Sequence, residues 1–321
     1  MFWLSDRSSP NAGKTASSDT KAIETADSIS KHRTAAIRRA AKHVLVDAHL
    51  GASMCVAWGN WNKKELVVPK WLGRAQGVID DLVQRDEGDP ELRFQLARRT
   101  LAAQVGMRGK VDATGQIRQI AAQGNQLLAN STDPLYKSRI AWQLSLAHFD
   151  ALQAAHARNQ AAQAIQYGKQ ALVLVDQAAI GRDKTDEEEY FTGQLMFRIG
   201  AVYAVLQEKH AEAITWYAKA VPILERPAPP SDLVDPLQHG EAFISMGVSY
   251  WATGAKQKAV ELTSEGVHLF EQAVESGMTE QAQLEVPYSN LATMHGEMGN
   301  QEKSKQYAEM AAKLKQQTRQ Q

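Results

Sequence analysis

Few side chains in this 321-residue chain stand at spacings that could do chemistry. Ala12-Gly13-Lys14-Thr15 matches the end of a phosphate-binding loop, where backbone N–H groups and a lysine cradle phosphate oxygens. The full loop also needs a glycine five residues before Gly13, after a buried strand. Ser8 stands at that position, and only Met1 to Leu4 are apolar upstream, so the segment reads as polar tail. His43 and Asp47 share a helix face at i and i+4, a spacing that could hold a metal ion. His49 lies six residues from His43 and points elsewhere, and there is no His-Glu-x-x-His phrase. His148, His156, His210 and His295 form no nucleophile–base–acid arrangement. Cys55 is the only cysteine, which excludes an internal disulfide and any multi-cysteine metal site. Its apolar surroundings predict a small buried hydrophobe rather than a reactive thiol. The expectation is a non-enzyme with no catalytic residues, no cofactor and no metal.

Charge gives no stronger signal. Lys31, His32, Arg33, Arg38, Arg39 and Lys42 cluster on the first helix, but Lys+Arg and Asp+Glu both total 36. That balance lacks the basic footprint of a dedicated nucleic-acid binder, and the cluster reads as a solvated face. The run Asp186 to Glu189 suits a helix start, where negative charge offsets the helix dipole. Pro227-Ala228-Pro229-Pro230 reads as a linker. No stretch approaches the roughly 18 apolar residues of a membrane span, and Met1 to Leu4 is too short for a signal-peptide core. A cytoplasmic protein is expected.

The elements that must position any site are repeated. Ile199-Gly200-Ala201-Val202-Tyr203 precedes Ala213, Tyr217 and Ala220. Met246-Gly247-Val248-Ser249-Tyr250 then precedes Gly254 and Ala259. A third copy, Leu291-Ala292-Thr293-Met294-His295, precedes Gly299, Tyr307 and Ala311. The anchors lie 47 and 45 residues apart, and self-similarity at a fixed period marks stacked supersecondary units. Antiparallel helices approach closely only where one residue is small, so Gly200 and Gly247 are notches for larger side chains. Helix starts keep the same count. Asp89-Pro90, Asp133-Pro134 and Asp235-Pro236 place an N-cap acceptor before a proline suited to the first helical position. Thr185 with Glu188 forms a capping box, and Thr279 is a fifth start. Successive starts are 44, 52, 50 and 44 residues apart.

The anchor phrase resembles the tetratricopeptide repeat (TPR) family: Leu-Gly-x-x-Tyr, a turn, then Ala-x-x-x-aromatic-x-x-Ala. The units here are stretched to about 44–52 residues, against about 34 in the family. The copies also depart from the phrase. Thr263 and Gly266 replace the aromatic and the Ala, Ala292 and His295 replace Gly and Tyr, and the first copy gains a residue between Tyr203 and Ala213. The resemblance implies an all-α, right-handed superhelical solenoid of about six antiparallel helix hairpins over 25–316. Its clearest repeats are 186–227, 236–276 and 280–316, with a disordered tail over 1–24 and a frayed end over 317–321. Apolar spacing predicts the hairpins as Ala26–Trp58 with Trp71–Arg85, then Pro90–Gly106 with Val111–Ala129, then Pro134–Gln153 with Arg158–Ala179. The remaining three are Asp186–Gln207 with Ala211–Glu225, Pro236–Thr253 with Lys256–Glu275, and Glu285–Met298 with Glu302–Gln316.

In the family, first helices line a concave groove that holds a partner segment. Carried over, the groove positions are Gln194, Phe197 and Ala201, then Glu241, Ile244, Val248 and Trp251, then Ser289 and Thr293. Phe197, Ile244 and Trp251 are either hydrophobic anchors for a peptide or core between hairpins. The chaperone-tail clamp of the family uses Lys and Asn where this chain has Phe197/Ala201, Ile244/Val248 and Ser289/Thr293, so that clamp is missing. The resemblance implies a non-enzymatic scaffold that binds a protein or peptide segment. The alternative is a regulatory or sensor region of a signalling system, associated with a kinase or with transcription.

Overall fold

The computed structural model describes residues 21, 23–31, 34–59, 61–107, 110–230 and 236–318. Ala12–Thr15, His32, Arg33, Asp235 and most of the expected tail lie outside these residues. Twelve α-helices and one 3-10 turn account for the ordered elements from Ala35 onward, and no strand occurs among the described residues. The chain is an all-α array of antiparallel helix hairpins. Two compact units divide it between Thr185 and Asp186, with three hairpins in each.

In the first unit α1 (Ala35–Trp58) pairs with α2 (Lys64–Gln84), α3 (Pro90–Gly106) with α4 (Thr114–Asn130), and α5 (Pro134–Ala157) with α6 (Ala161–Ala178). A helical stretch over 23–30 precedes α1. First helices also pack on one another, α1 on α3 and α3 on α5, so each hairpin buries a face that it cannot cover alone. Val46, Leu50, Ile79, Leu82 and Leu92 fill the first interface, while Phe94, Leu101, Ile117, Ile120, Ile140 and Leu144 fill the second. A Cβ on Gly106 would lie 2.6 Å from the Trp58 indole, and one on Gly124 would lie 2.6 Å from Leu144. Small residues therefore set how closely α3 meets α1 and α4 meets α5. The Asp89 and Asp133 carboxylates accept from the N–H groups of Glu91 and Leu135, at 2.8 and 2.9 Å, capping α3 and α5 as their sequence predicts.

Three boundaries depart from expectation. The helix expected over Ala26–Trp58 is two, one over 23–30 that takes in the end of the expected tail and one from Ala35. The helix expected to stop at Gln153 runs on to Ala157. The sequence predicts a break from Gly59 to Pro69, yet α2 begins at Lys64 and contains Pro69. The proline falls in the second turn, where it removes a single intrahelical bond. Fully buried Val68 ties that turn to the core beside Met54 and Ala57.

In the second unit α7 (Asp186–Gln207) pairs with α8 (His210–Leu224), α9 (Pro236–Ala252) with α10 (Lys256–Glu275), and α11 (Glu285–Glu297) with α12 (Gln301–Thr318). A 3-10 turn over Gln281–Leu284 leads into α11. Pro222 lies two residues before the end of α8, where the sequence predicts a stop. The notches are occupied. A Cβ on Gly200 would collide with the Tyr217 ring and stand 3.1 Å from the Ala213 carbonyl. One on Gly247 would meet the Thr263 hydroxyl and the Ala259 carbonyl. In the third copy the Ala292 carbonyl accepts from the Ser304 hydroxyl at 2.8 Å, so Ser304 replaces the small Ala of α8 and α10. His295, in the tyrosine position, stacks on Tyr307 with centroids 5.7 Å apart.

The hairpin turns share one geometry. The Ala255 N–H donates to the Tyr250 carbonyl and the Gly254 N–H to that of Trp251; Asn300 with His295 and Gly299 with Gly296 repeat the pattern. Gly254 and Gly299 take φ of +85° and +81°, the left-handed conformation this cap requires. Between α5 and α6 the Gln160 to Ala155 and Asn159 to His156 bonds build the same cap, with Asn159 at +59°. Between α7 and α8 the Lys209 N–H reaches back six residues to Tyr203 instead of five. The extra residue noted in the sequence is absorbed there, with Glu208 at +54°.

Candidate functional site

The nine candidate positions all lie on first helices of the second unit, and the structure divides them into two groups. Phe197 and Ala201 on α7 are 6% exposed and belong to one core cluster with Ala213, Tyr217, Phe243 and Met246. The Phe197 ring stacks on Tyr217 with centroids 5.9 Å apart. These two residues are packing elements. α7 is apolar on nearly every side, the pattern of a helix buried all round, and Gln194 is half-buried on it.

α9 is two-sided. His239, Ala242, Phe243, Met246 and Ser249 are buried, whereas Glu241, Ser245, Val248 and Ala252 are exposed and Ile244 and Trp251 half-buried. The accessible residues recur every three or four positions along one stripe. A solvated stripe normally carries several charges; this one has a single carboxylate, Glu241, at one end. Val248 is 43% exposed. Ile244 leans on α10, where a Cβ on Gly266 would stand 2.6 Å from its side chain. The Lys256 ammonium sits 4.8 Å from the Trp251 ring centroid, covering the indole with its own cation.

α11 repeats this stripe in register. Ser289 and Thr293, 45 residues beyond Ile244 and Val248, are exposed, and the Thr293 hydroxyl donates to the Ser289 carbonyl at 3.0 Å. Val286, 45 residues beyond Glu241, is 65% exposed. Position matching by the repeat phrase alone passes over it, although the same register contains it. The two stripes together offer Ile, Val, Trp, Ser and Thr side chains and little charge. Such a surface can bury an apolar segment and accept its polar groups.

The other sequence candidates are tied into the framework of the first unit. Arg38 pairs with Glu87 and Lys42 with Asp81, so the basic cluster is partly neutralised across α1, α2 and the following loop. The Arg38 hydrogen bond is the main cause holding the Glu87 carboxyl below its usual range. His43 Nε2 lies 3.3 Å from the capping carboxylate of Asp89. His49 is buried beside Trp71, and desolvation pushes its pKa down. Asp47 is exposed, so His43, Asp47 and His49 do not converge. Among the described residues no group of three His, Cys, Asp or Glu side chains could hold a metal ion. Cys55 is half-buried rather than fully buried. Within the described residues no helix is long and apolar enough to cross a membrane.

No protein-family model matches this chain, and no curated protein matches it. Among solved structures it is similar to BtubC (BKLC) from P. vanneervenii, at 14% identity over 96% of this chain and 92% of that one, with a TM-score of 0.47. The apo form of RapI aligns at 14% identity over 95% and 100%, with a TM-score of 0.44. The apo form of the quorum sensor NprR from B. thuringiensis aligns at 10% identity over 94% and 99%, with a TM-score of 0.29. At these scores nothing passes from those proteins to this chain.

Proposed function

We propose that this chain is a non-enzymatic, TPR-like scaffold that binds a segment of another protein along the accessible stripes of α9 and α11. One observation supports the reading above others. The stripe Glu241–Ile244–Val248–Trp251 stays accessible on a helix whose opposite face is fully packed, and it carries one charge over three turns. Residues left accessible without charge are those an interface core favours, with an aromatic anchor at one end. The preformed helical surface lowers the ordering cost that a partner meets on binding. Phe197 and Ala201 serve this surface indirectly, by fixing α7 against α8 and α9.

Site-specific photo-crosslinking in cells tests the reading. A benzoyl-phenylalanine at Val248 or Thr293 should capture one and the same partner, which the same probe at exposed Lys305 does not. Trp251→Ala should lower the yield while leaving far-ultraviolet helicity unchanged. Equal capture from Lys305, or none from Val248 and Thr293, would refute it.

A further inference from the structure

A second accessible recess lies in the first unit, on helices that the α9–α11 surface does not involve. It has a volume of about 660 Å³ and is built between α4 and α6 with α5 as its floor. This lies within the range of about 300–1,000 Å³ typical of small-ligand sites. Leu144, Ile165, Val173 and Leu174 give it an apolar bed. Leu144 and Ile165 are buried at its base, whereas Leu174 is half-buried and Val173 is 57% exposed.

The polar lining is sparse and unspent. Asn125, Gln166 and Gln170 stand around the bed, and Lys169 is the one formally charged residue among those that line it. All four are exposed, and none of their side chains makes a hydrogen bond or ion pair among the described residues. His148 is only 7% exposed and belongs to the lining, and its Nδ1 has no partner among the described residues. A buried polar atom left unpaired is costly in a framework that satisfies most of its others. Desolvation holds the His148 pKa down to about 4, so the ring is neutral at pH 7 and adds no second charge. A long apolar bed beside one unpaired cation is complementary to a molecule with an apolar body and a single negative end.

We propose that this recess binds a small amphipathic carboxylate, its apolar body on Leu144, Ile165, Val173 and Leu174 and its carboxylate at Lys169. Lys169 lies four residues beyond Ile165 and four before Val173, one helical turn from each. Lys169 is exposed midway along the apolar bed on α6. Its long flexible side chain can carry the ammonium to a carboxylate at the mouth of the recess, while the apolar body lies within. Gln166 and Gln170, also one turn apart, can donate amide N–H groups to the same carboxylate.

The test uses the full chain and two probes, anilinonaphthalene sulfonate as a fluorescent amphipathic anion and decanoate as its competitor. One equivalent of dye should bind per chain, and decanoate should displace it about two- to fivefold better than decanol of equal chain length. Lys169→Glu should weaken decanoate by about fivefold and leave decanol unchanged. Ala162 is exposed and Ala121 half-buried, so Ala162→Trp and Ala121→Trp can fill the recess with the fold kept, as an unchanged melting curve would show. Both should abolish dye binding. Dye binding that survives both tryptophans, or decanol competing as well as decanoate, would overturn the proposal. So would a partner peptide that protects Lys169 from acetylation while decanoate does not.

Discussion

The Tyr217 ring fills the notch left by Gly200, and no Cβ can be added at Gly200 without colliding with it. Tyr217 is fully buried, and its ring is also the surface on which Phe197 stacks. A single knob-and-notch contact therefore fixes the distance between α7 and α8 and the orientation of the residue that the repeat phrase assigns to the groove.

Gly200→Ala should lower stability by about 1–3 kcal/mol, since the ring it meets is fully buried and stacked on Phe197. Gly73→Ala is the opposite case. Gly73 is exposed within α2 with nothing within 4 Å of an added Cβ, and the change should stabilise by about 0.5–1 kcal/mol through helix propensity. Urea denaturation of the two variants checks both signs.

Phe197→Ala should cost about 3–5 kcal/mol, the range of a large side chain removed from a packed core. Val248→Ala, on the accessible stripe, should stay within about 0.5 kcal/mol of the parent. Similar costs at the two sites would place Val248 in the core and remove it from the proposed surface.

Glu208 holds a left-handed conformation that Gly254 and Gly299 supply in the corresponding turns. Glu208→Gly should therefore stabilise by about 0.5–1 kcal/mol, and Gly254→Ala should destabilise by about 1 kcal/mol. Thermal melts of the pair would show opposite shifts.

His148, His49, His239 and His295 all have pKa values pushed down, with burial the leading cause for each. The folded state thus binds fewer protons than the unfolded one between the ordinary histidine value, about 6.5, and the folded values. Stability is full above that ordinary value and is lost as pH falls through the window towards about 4, the value for His148. His148 alone should contribute roughly 3 kcal/mol of this loss. The melting temperature should fall between pH 7 and pH 4.5, and His148→Phe should flatten part of the slope. An unchanged slope in that variant would show that His148 is not buried neutral.

Much of the architecture was legible without coordinates. Proline, aspartate and threonine at helix starts, glycine at turns and the 45- to 47-residue return of the packing phrase marked five of the six hairpins, because these signals act within one or two turns of chain. The first was read from apolar spacing alone. The third hairpin lacks the glycine phrase in its first helix. Ala164 and Ala171 on α6 repeat the small positions Ala213 and Ala220 of α8, Gly168 stands where Tyr217 does, and Leu152 stands where Gly200 and Gly247 do. The small residue of this pair of positions lies on the second helix instead of the first. Pro69 misled for a related reason. A proline in the second turn is affordable when the residue before it is anchored in the core, and anchoring is a tertiary fact.

The sequence by itself determined that this chain is built of helix hairpins, where most of them begin and turn, and, at Gly200 and Gly247, which small residues let two helices meet. Only the tertiary structure decided which apolar residues are core and which stay accessible. Phe197 and Ile244 hold the same position in successive repeats, yet the first stacks on Tyr217 and the second leans on Gly266 with part of its surface open. Local pattern fixes the face of a helix on which a side chain emerges. Whether that face is covered depends on how closely the neighbouring hairpin approaches, and residues far away in the chain set that distance.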